Sequence, residues 1–229
     1  MKRILIGLLV LSTTFGLLPA AHAQFGGGLF HKPNITDIFH PVVGEGALYE
    51  EQHKDGTKST LEMSIVGKET TDDGKDGYWF EVGHPERGSD RLSYAKMLVT
   101  KDNFEIKRMI MVMPHSQQPM EFPVNMNQKT KDRIETEKEK WHQVGTEPVT
   151  VPAGTFLCQH WAKDDGTENV WVSSKISPMG LVKSEGKGSS MVLVKTISGA
   201  STHITGTPQK FDPQALMQQR MQQKLNQQQ

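Results

Sequence analysis

The sequence predicts a mainly β protein built on one curved antiparallel sheet or an incomplete barrel, with little helix. Short segments of strand composition recur at a spacing of roughly 8–12 residues, which is typical of an antiparallel meander. Asp-Gly dipeptides punctuate these segments, and both residues tolerate a positive φ, so each dipeptide indicates a hairpin turn. They are Asp55-Gly56, Asp73-Gly74, Asp76-Gly77 and Asp165-Gly166. Apolar residues at helical spacing are scarce before the C-terminal tail.

Residues 1–23 have the features of a secretory signal peptide. Lys2 and Arg3 precede an apolar run, and Ala21-His22-Ala23 forms an A-x-A cleavage site. We therefore expect an exported chain that is soluble in the periplasm or outside the cell after cleavage. A lipid-anchored protein would need a cysteine directly after the signal, whereas the single cysteine is Cys158.

The rest of the chain divides into a lead-in, one domain and a tail. Residues 24–45, with a run of three glycines and two prolines, are expected to be a flexible lead-in. Residues 46–207 are predicted to form the antiparallel β domain. Within it, residues 127–140 are so rich in charge that both a helix and a polar strand stay open. Residues 208–229 form a Gln-rich tail in which Met217, Met221 and Leu225 indicate an amphipathic helix that begins at Asp212-Pro213.

Composition excludes several classes of protein. The 229 residues carry 26 basic and 26 acidic side chains, so no charge excess favours binding to nucleic acid. A mean hydropathy of -0.51 excludes a protein with many membrane spans. One cysteine excludes a disulfide framework, an iron–sulfur site and a cysteine-rich zinc site.

Two short patterns resemble chemical sites and fail on inspection. The loop that starts at Asp72 has the beginning of a calcium loop, but glycine occupies its third and twelfth positions, where oxygen ligands are needed. Cys158 and His160 share one face of a predicted strand, yet no third group is present to orient them. We expect Cys158 to be buried and slow to react. With no catalytic motif, the sequence predicts no enzyme, no cofactor and no metal site of the usual kind.

Met109, Met111 and Met113 alternate along one predicted strand and so share a face, while Ile110 and Val112 share the other. Three interpretations stay open. The methionines can fill a core, form an adaptable surface for an apolar ligand, or bind Cu(I) through their thioethers with His115 as a further ligand.

One stretch resembles a known group of proteins. Residues 149–158 read V-T-V-P-A-G-T-F-L-C, followed by V-W-V-S at 170–173 and P-M-G-L-V-K at 178–183. This pattern resembles exported bacterial proteins of unknown function that are related to the LolA/LolB-like lipoprotein carriers, over residues 145–206. The resemblance implies a curved sheet closed by helices around an apolar hollow that binds acyl chains. An anchored LolB-like receptor is excluded because the mature N-terminus lacks a cysteine.

These observations give one leading hypothesis and two alternatives. The leading hypothesis is a soluble periplasmic, non-enzymatic protein that binds or carries a lipid or acyl ligand, or binds an envelope partner. The alternatives are a methionine-rich Cu(I)/Ag(I)-binding module and a purely structural or interaction domain. The candidate ligand-binding residues are Met109, Met111, Met113 and Trp171.

Overall fold

A computed structural model describes residues 38–85, 92–112, 118–124 and 141–212, with the side chains of residues 85 and 92 excepted. All of them belong to one compact unit that spans Lys32–Gln229. The predicted signal peptide, most of the lead-in, residues 127–140 and the predicted tail helix lie outside the described residues.

In the described part of the chain, twelve strands form one open sheet, which confirms the predicted fold class. The strands are β1 (Glu45–Gln52), β2 (Lys58–Thr70), β3 (Asp76–Pro85), β4 (Leu92–Thr100), β5 (Ile106–Val112), β6 (Pro119–Phe122), β7 (Trp141–Val151), β8 (Gly154–Lys163), β9 (Glu168–Val172), β10 (Leu181–Gly186), β11 (Ser189–Ser198) and β12 (Gln209–Lys210). Their order across the sheet is β12-β6-β5-β4-β3-β2-β1-β11-β10-β9-β8-β7. Neighbouring strands are antiparallel except β12, which lies parallel to β6. No helix among the described residues is long and apolar enough to cross a membrane.

Three of the four Asp-Gly dipeptides form the predicted turns. Gly56, Gly74 and Gly166 adopt φ values of 82°, 78° and 68°, which glycine tolerates without strain. Asp76-Gly77 is not a turn, because Thr71 N already donates to Lys75 O at 2.9 Å and closes the hairpin before residue 76. The acidic loop is therefore a hairpin turn, in which hydrogen bonds from Thr71 and Lys107 lower the pKa of Asp73 to about 2.

One face of the sheet, called here the inner face, carries the core. Tyr49, Met63, Ile65 and Phe80 are almost fully buried there. Phe39 and Phe104 pack with Phe80 in edge-to-face contacts, with ring centroids 4.8–6.3 Å apart. Ile38 and Phe39 precede β1 and are buried. The predicted lead-in, residues 24–45, therefore includes one apolar pair that packs in the core, whereas Val42 and Val43 are exposed.

The opposite, outer face is crossed by residues 199–208, which we call the strap. The strap runs from the end of β11 to β12, across the width of β1 to β6. The strap is irregular: it bends at residues 199, 203 and 206, and Gly199 and Gly206 adopt φ values of 73° and 87°.

A buried carboxylate holds the strap on the sheet. Glu81, on β3, is only 2% exposed. Its Oε1 accepts hydrogen bonds from His203 N at 2.8 Å and pairs with His203 Nδ1 at 2.9 Å, and its Oε2 accepts from the Thr202 hydroxyl at 2.5 Å. Tyr94 stacks on the His203 ring at 4.1 Å, and Lys96 donates to Thr202 Oγ1 at 3.3 Å. The strap is thereby joined to the middle of the sheet.

The V-P-A-G-T-F segment forms the turn between β7 and β8. Gly154 adopts a φ of 132°, which side chains rarely allow. Ala153 N donates to Leu193 O on β11 at 3.4 Å. Val151 is buried beside this turn. The tip of the β7–β8 hairpin therefore contacts β11, a non-neighbouring strand.

Candidate functional site

Met109 and Met111 lie on the inner face of β5, as neighbours of further apolar side chains. Met109 is opposite Met97 on β4 and Phe122 on β6. Met111 is opposite Ala95 and Met120 on the same two strands. We call the set Met109, Met111, Met120 and Phe122 the methionine strip. Met113 lies outside the described residues.

Burial changes abruptly at the methionine strip. On β2, β3 and β4 the inner-face residues Met63, Val82, Ala95 and Met97 are at most 3% exposed. All four members of the strip are only half-buried. The strip is therefore the margin of the core, where large apolar side chains retain access to solvent.

The other side of β5 is covered at its centre, Ile110. Ile110 points to the outer face and is 2% exposed, and Leu98 is buried on the same face of β4. Ile204 of the strap is buried as well. A strand that is apolar on both faces is expected to be covered on both. The outer face of β5 is covered at Ile110, whereas Val112 on the same face is half-buried.

Charged residues on the outer face fix the register that places the strip. Arg108, on β5, pairs with Glu121 on β6 at 2.8 Å and with Glu69 on β2 at 3.0 Å. The hydrogen bond between Arg108 and Glu121 lowers the pKa of the carboxyl and raises that of the guanidinium. Trp79 lies between Arg108 and Lys96, at 5.2 and 5.3 Å from its ring centroid. These contacts align β5 with β6, so that Met111 and Met120 lie directly opposite each other.

The methionines form two directly opposed pairs, Met97 with Met109 and Met111 with Met120. Opposed side chains on neighbouring strands have Cβ atoms about 4.5–5.5 Å apart, so their thioethers can meet. No group of three His, Cys, Asp or Glu in the described part of the chain could hold a metal ion. A metal at this place would therefore depend on thioether sulfur.

Trp171 is not part of this arrangement. It lies on the outer face of β9, and six strands separate β9 from β5 in the sheet. Its indole N–H donates to Glu147 at 2.7 Å, its ring stacks on His160 at 4.5 Å, and Lys183 Nζ lies 4.9 Å from its centroid. With 9% of its surface exposed, Trp171 has little area left for a ligand.

Cys158 is a free, buried cysteine, as the sequence predicts. Burial, assisted by the charge of Glu147, raises the pKa of its thiol to about 11. The thiol donates to Phe156 O at 3.5 Å. His160 pairs instead with Asn169 at 2.9 Å and Glu147 at 3.2 Å. This arrangement keeps the thiol protonated and provides no activated nucleophile.

The sequence did not place Met120 and Phe122 in the candidate site, nor Phe211, whose ring stacks on Phe122 at 4.6 Å. Residues 119–122 show a single apolar–polar alternation, which is too short to indicate a strand. β12 has two residues, and its parallel partner lies almost 90 residues away, so it leaves no local signal. The only sequence signal for these residues is the alternation in P-M-E-F, which would place Met120 and Phe122 on the same face of a strand.

Comparisons with known proteins show weak structural likeness. No protein-family model matches the chain, and no curated protein matches it significantly. A protein from Bacteroides fragilis, described as exported with a YmcC-like fold, is 15% identical, with 69% of this chain and 98% of that chain covered and a TM-score of 0.37. A protein from Parabacteroides distasonis, described as a lipoprotein, is 13% identical, with coverages of 72% and 99% and a TM-score of 0.37.

MucB is a further structural neighbour. It is 10% identical, with 76% of this chain and 61% of that chain covered and a TM-score of 0.41. MucB is also found in the complex of MucA and MucB from Pseudomonas aeruginosa, at 11% identity and a TM-score of 0.41. At these TM-scores the likeness carries no information on function.

Proposed function

We propose that this protein is a non-enzymatic binding protein of the bacterial periplasm that holds an acyl chain, or an apolar segment of an envelope partner, on the methionine strip. One observation carries the proposal. The inner face is buried at Met63, Val82, Ala95 and Met97 on β2 to β4, and beyond them the four large apolar side chains of the strip remain half-buried. An apolar surface of this kind is stabilised when a ligand removes it from water.

The residue types of the strip suit a long, flexible apolar ligand. Methionine is unbranched and polarizable, so it adapts to partners of irregular shape. Each methylene that is buried contributes about 0.8 kcal/mol, so a long acyl chain should bind far better than a short one. The strip itself carries no charged side chain, and the ion pairs of Arg108 lie on the opposite face.

The test begins with native mass spectrometry of protein purified from the periplasm, to find lipid that purifies with it. Titration with a fluorescent fatty acid then measures uptake. Met111→Ala should lower the fatty-acid affinity and cost little stability, because Met111 is only half-buried. Met97→Ala is the matched control. It deletes a fully buried methionine and should cost about 2–5 kcal/mol of unfolding free energy. The absence of both co-purified lipid and fatty-acid uptake would contradict the proposal and leave a purely structural domain.

A second candidate function is binding of Cu(I) or Ag(I), and the two opposed methionine pairs favour it. Thioethers select cuprous ion over harder metals. Replacing Met109, Met111 and Met113 together with leucine keeps the apolar volume and deletes the sulfur atoms. Tight binding of Ag(I) under reducing conditions that is lost in the leucine variant would establish this function. We expect fatty-acid binding to survive the leucine replacement and no tight metal binding in either protein.

A further inference from the structure

The described chain ends beside the methionine strip. β12 adds in parallel to β6, and Phe211 N then donates to Glu121 O at 2.8 Å. The Phe211 ring stacks on Phe122, with centroids 4.6 Å apart and an interplanar angle of 25°. Because Phe122 belongs to the strip, the Phe211 ring lies on the inner-face side, and the chain reaches Asp212 at the edge of the sheet next to this apolar surface.

The residues that follow carry an apolar stripe that no other part of the tail can cover. Eight of the 17 residues from 213 to 229 are glutamine, and Met217, Met221 and Leu225 recur at helical spacing. Asp212 and Pro213 are suited to the cap and first turn of a helix. An isolated helix of this length is marginal in water, so it requires a surface that covers its apolar stripe.

We propose that residues 213–229 form an amphipathic helix that packs its Met217–Met221–Leu225 stripe on the methionine strip of the same chain. Seventeen helical residues reach about 25 Å, which is enough to pass over β6 and β5 and on toward β4, at about 4.8 Å per strand. A tail attached this closely acts at an effective concentration near ~1 mM, well above a second copy of the chain in dilute solution. The chain's own tail is therefore the occupant.

The docked tail and a ligand of the strip would occupy the same apolar surface and so compete for it. In this respect the inference rests on the proposed function. The apparent dissociation constant of the ligand is then raised by the inverse of the fraction of molecules in which the tail is not docked. A chain that ends at Asp212 should bind an apolar ligand more tightly than the full chain does.

Methionine oxidation tests the docking directly, without any ligand. Full-length protein and a chain that ends at Asp212 are treated with dilute hydrogen peroxide, and sulfoxide formation is followed by mass spectrometry. We expect several-fold faster oxidation of Met109, Met111 and Met120 in the shortened chain. Met63 and Met97, which are fully buried, report on unfolding and should stay slow in both proteins.

Point variants separate the apolar stripe from the mere presence of a tail. In a variant with Met217, Met221 and Leu225 all replaced by glutamine, the strip methionines should oxidise as fast as in the shortened chain. In the control variant with Gln218→Ser and Gln222→Ser, they should oxidise as slowly as in the wild type. Equal oxidation rates in the full and shortened chains would overturn the proposal. Protection that appears only as the protein concentration rises would overturn it too, since it would indicate a second copy.

Fatty-acid titration of the same proteins tests the proposed function independently of the docked tail. Faster oxidation of the shortened chain with no fatty-acid uptake would support the docked tail and contradict the proposed function. Fatty-acid uptake with unchanged oxidation would overturn the docked tail and support the proposed function. Tighter uptake by the shortened chain than by the full chain would support both.

Discussion

At the scale of single residues, Glu81 is the side chain that holds the strap on the outer face of the sheet. Its carboxylate is buried and accepts hydrogen bonds from two consecutive residues of the strap, Thr202 and His203. Burial of a carboxylate is unfavourable unless such partners compensate it, and removal of the carboxylate takes their acceptor from the Thr202 hydroxyl and the His203 N–H. Glu81 therefore connects two segments that lie 121 residues apart in the chain.

We expect Glu81→Ala to lower the unfolding free energy by about 2–4 kcal/mol in urea denaturation. The matched control is Glu50→Ala. Glu50 pairs with Lys58 at 2.8 Å on the surface, where both side chains are well exposed. Such a pair contributes about 0–1 kcal/mol. Equal losses in the two variants would show that Glu81 does not hold the strap.

Cys158 makes a prediction about alkaline pH. A thiol in the unfolded chain has a pKa of about 8.5. In the folded protein, burial raises the pKa of Cys158 to about 11. Between these values the unfolded chain loses the thiol proton while the folded chain keeps it, so stability falls as pH rises. Below pH 8 both states are protonated and the effect vanishes.

The measurement is urea unfolding at pH 8 and pH 10 for the wild type and Cys158→Ser. Other groups titrate over the same range in both proteins, so the difference between them isolates the thiol. We expect the wild type to lose more stability than the variant on going to pH 10. Parallel losses, or rapid labelling of the native thiol at pH 8, would contradict the burial of Cys158.

At the scale of elements, the turn between β7 and β8 has a clear physical requirement. Gly154 holds a φ of 132°, a region that is almost restricted to glycine. Gly154→Ala should therefore cost about 1–3 kcal/mol of stability. Gly145 lies in β7 with open space where a Cβ would stand and no positive φ. Gly145→Ala, the matched control, should change stability by less than about 0.5 kcal/mol. A neutral Gly154→Ala would contradict the strained turn.

The sequence predicted most strands and three hairpin turns, because alternation and turn chemistry are local properties. It could not place the strands' faces relative to each other. Trp171 and Met109 were grouped from residue type alone, yet they lie on opposite faces. Strand register and β-bulges decide such faces, as between Leu48 and Tyr49 and between Leu181 and Lys183. These bulges arise from tertiary packing and leave no pattern in a single strand.

At the scale of the whole molecule, the strap across the outer face of the sheet could not be predicted from the sequence. The strap reads as a polar loop, and its partners Glu81 and Gln118 are 121 and 89 residues distant. Likewise, the pair Ile38-Phe39 looks like part of a Pro-rich lead-in until the core beside Phe80 is assembled. Long-range contacts of this kind carry no local signature, whereas the methionine strand was visible because its alternation is local.

The central claim is that the inner face ends in an apolar surface that binds an apolar group. Nuclear magnetic resonance of protein labelled with ¹³C at the methionine methyl groups tests it most directly, with oleate as the added ligand. We predict that the signals of Met109, Met111 and Met120 shift during the titration and reach saturation. The signals of Met63 and Met179, which are buried in the core, should stay in place. Unchanged strip signals, or equal shifts of strip and core signals, would contradict the claim.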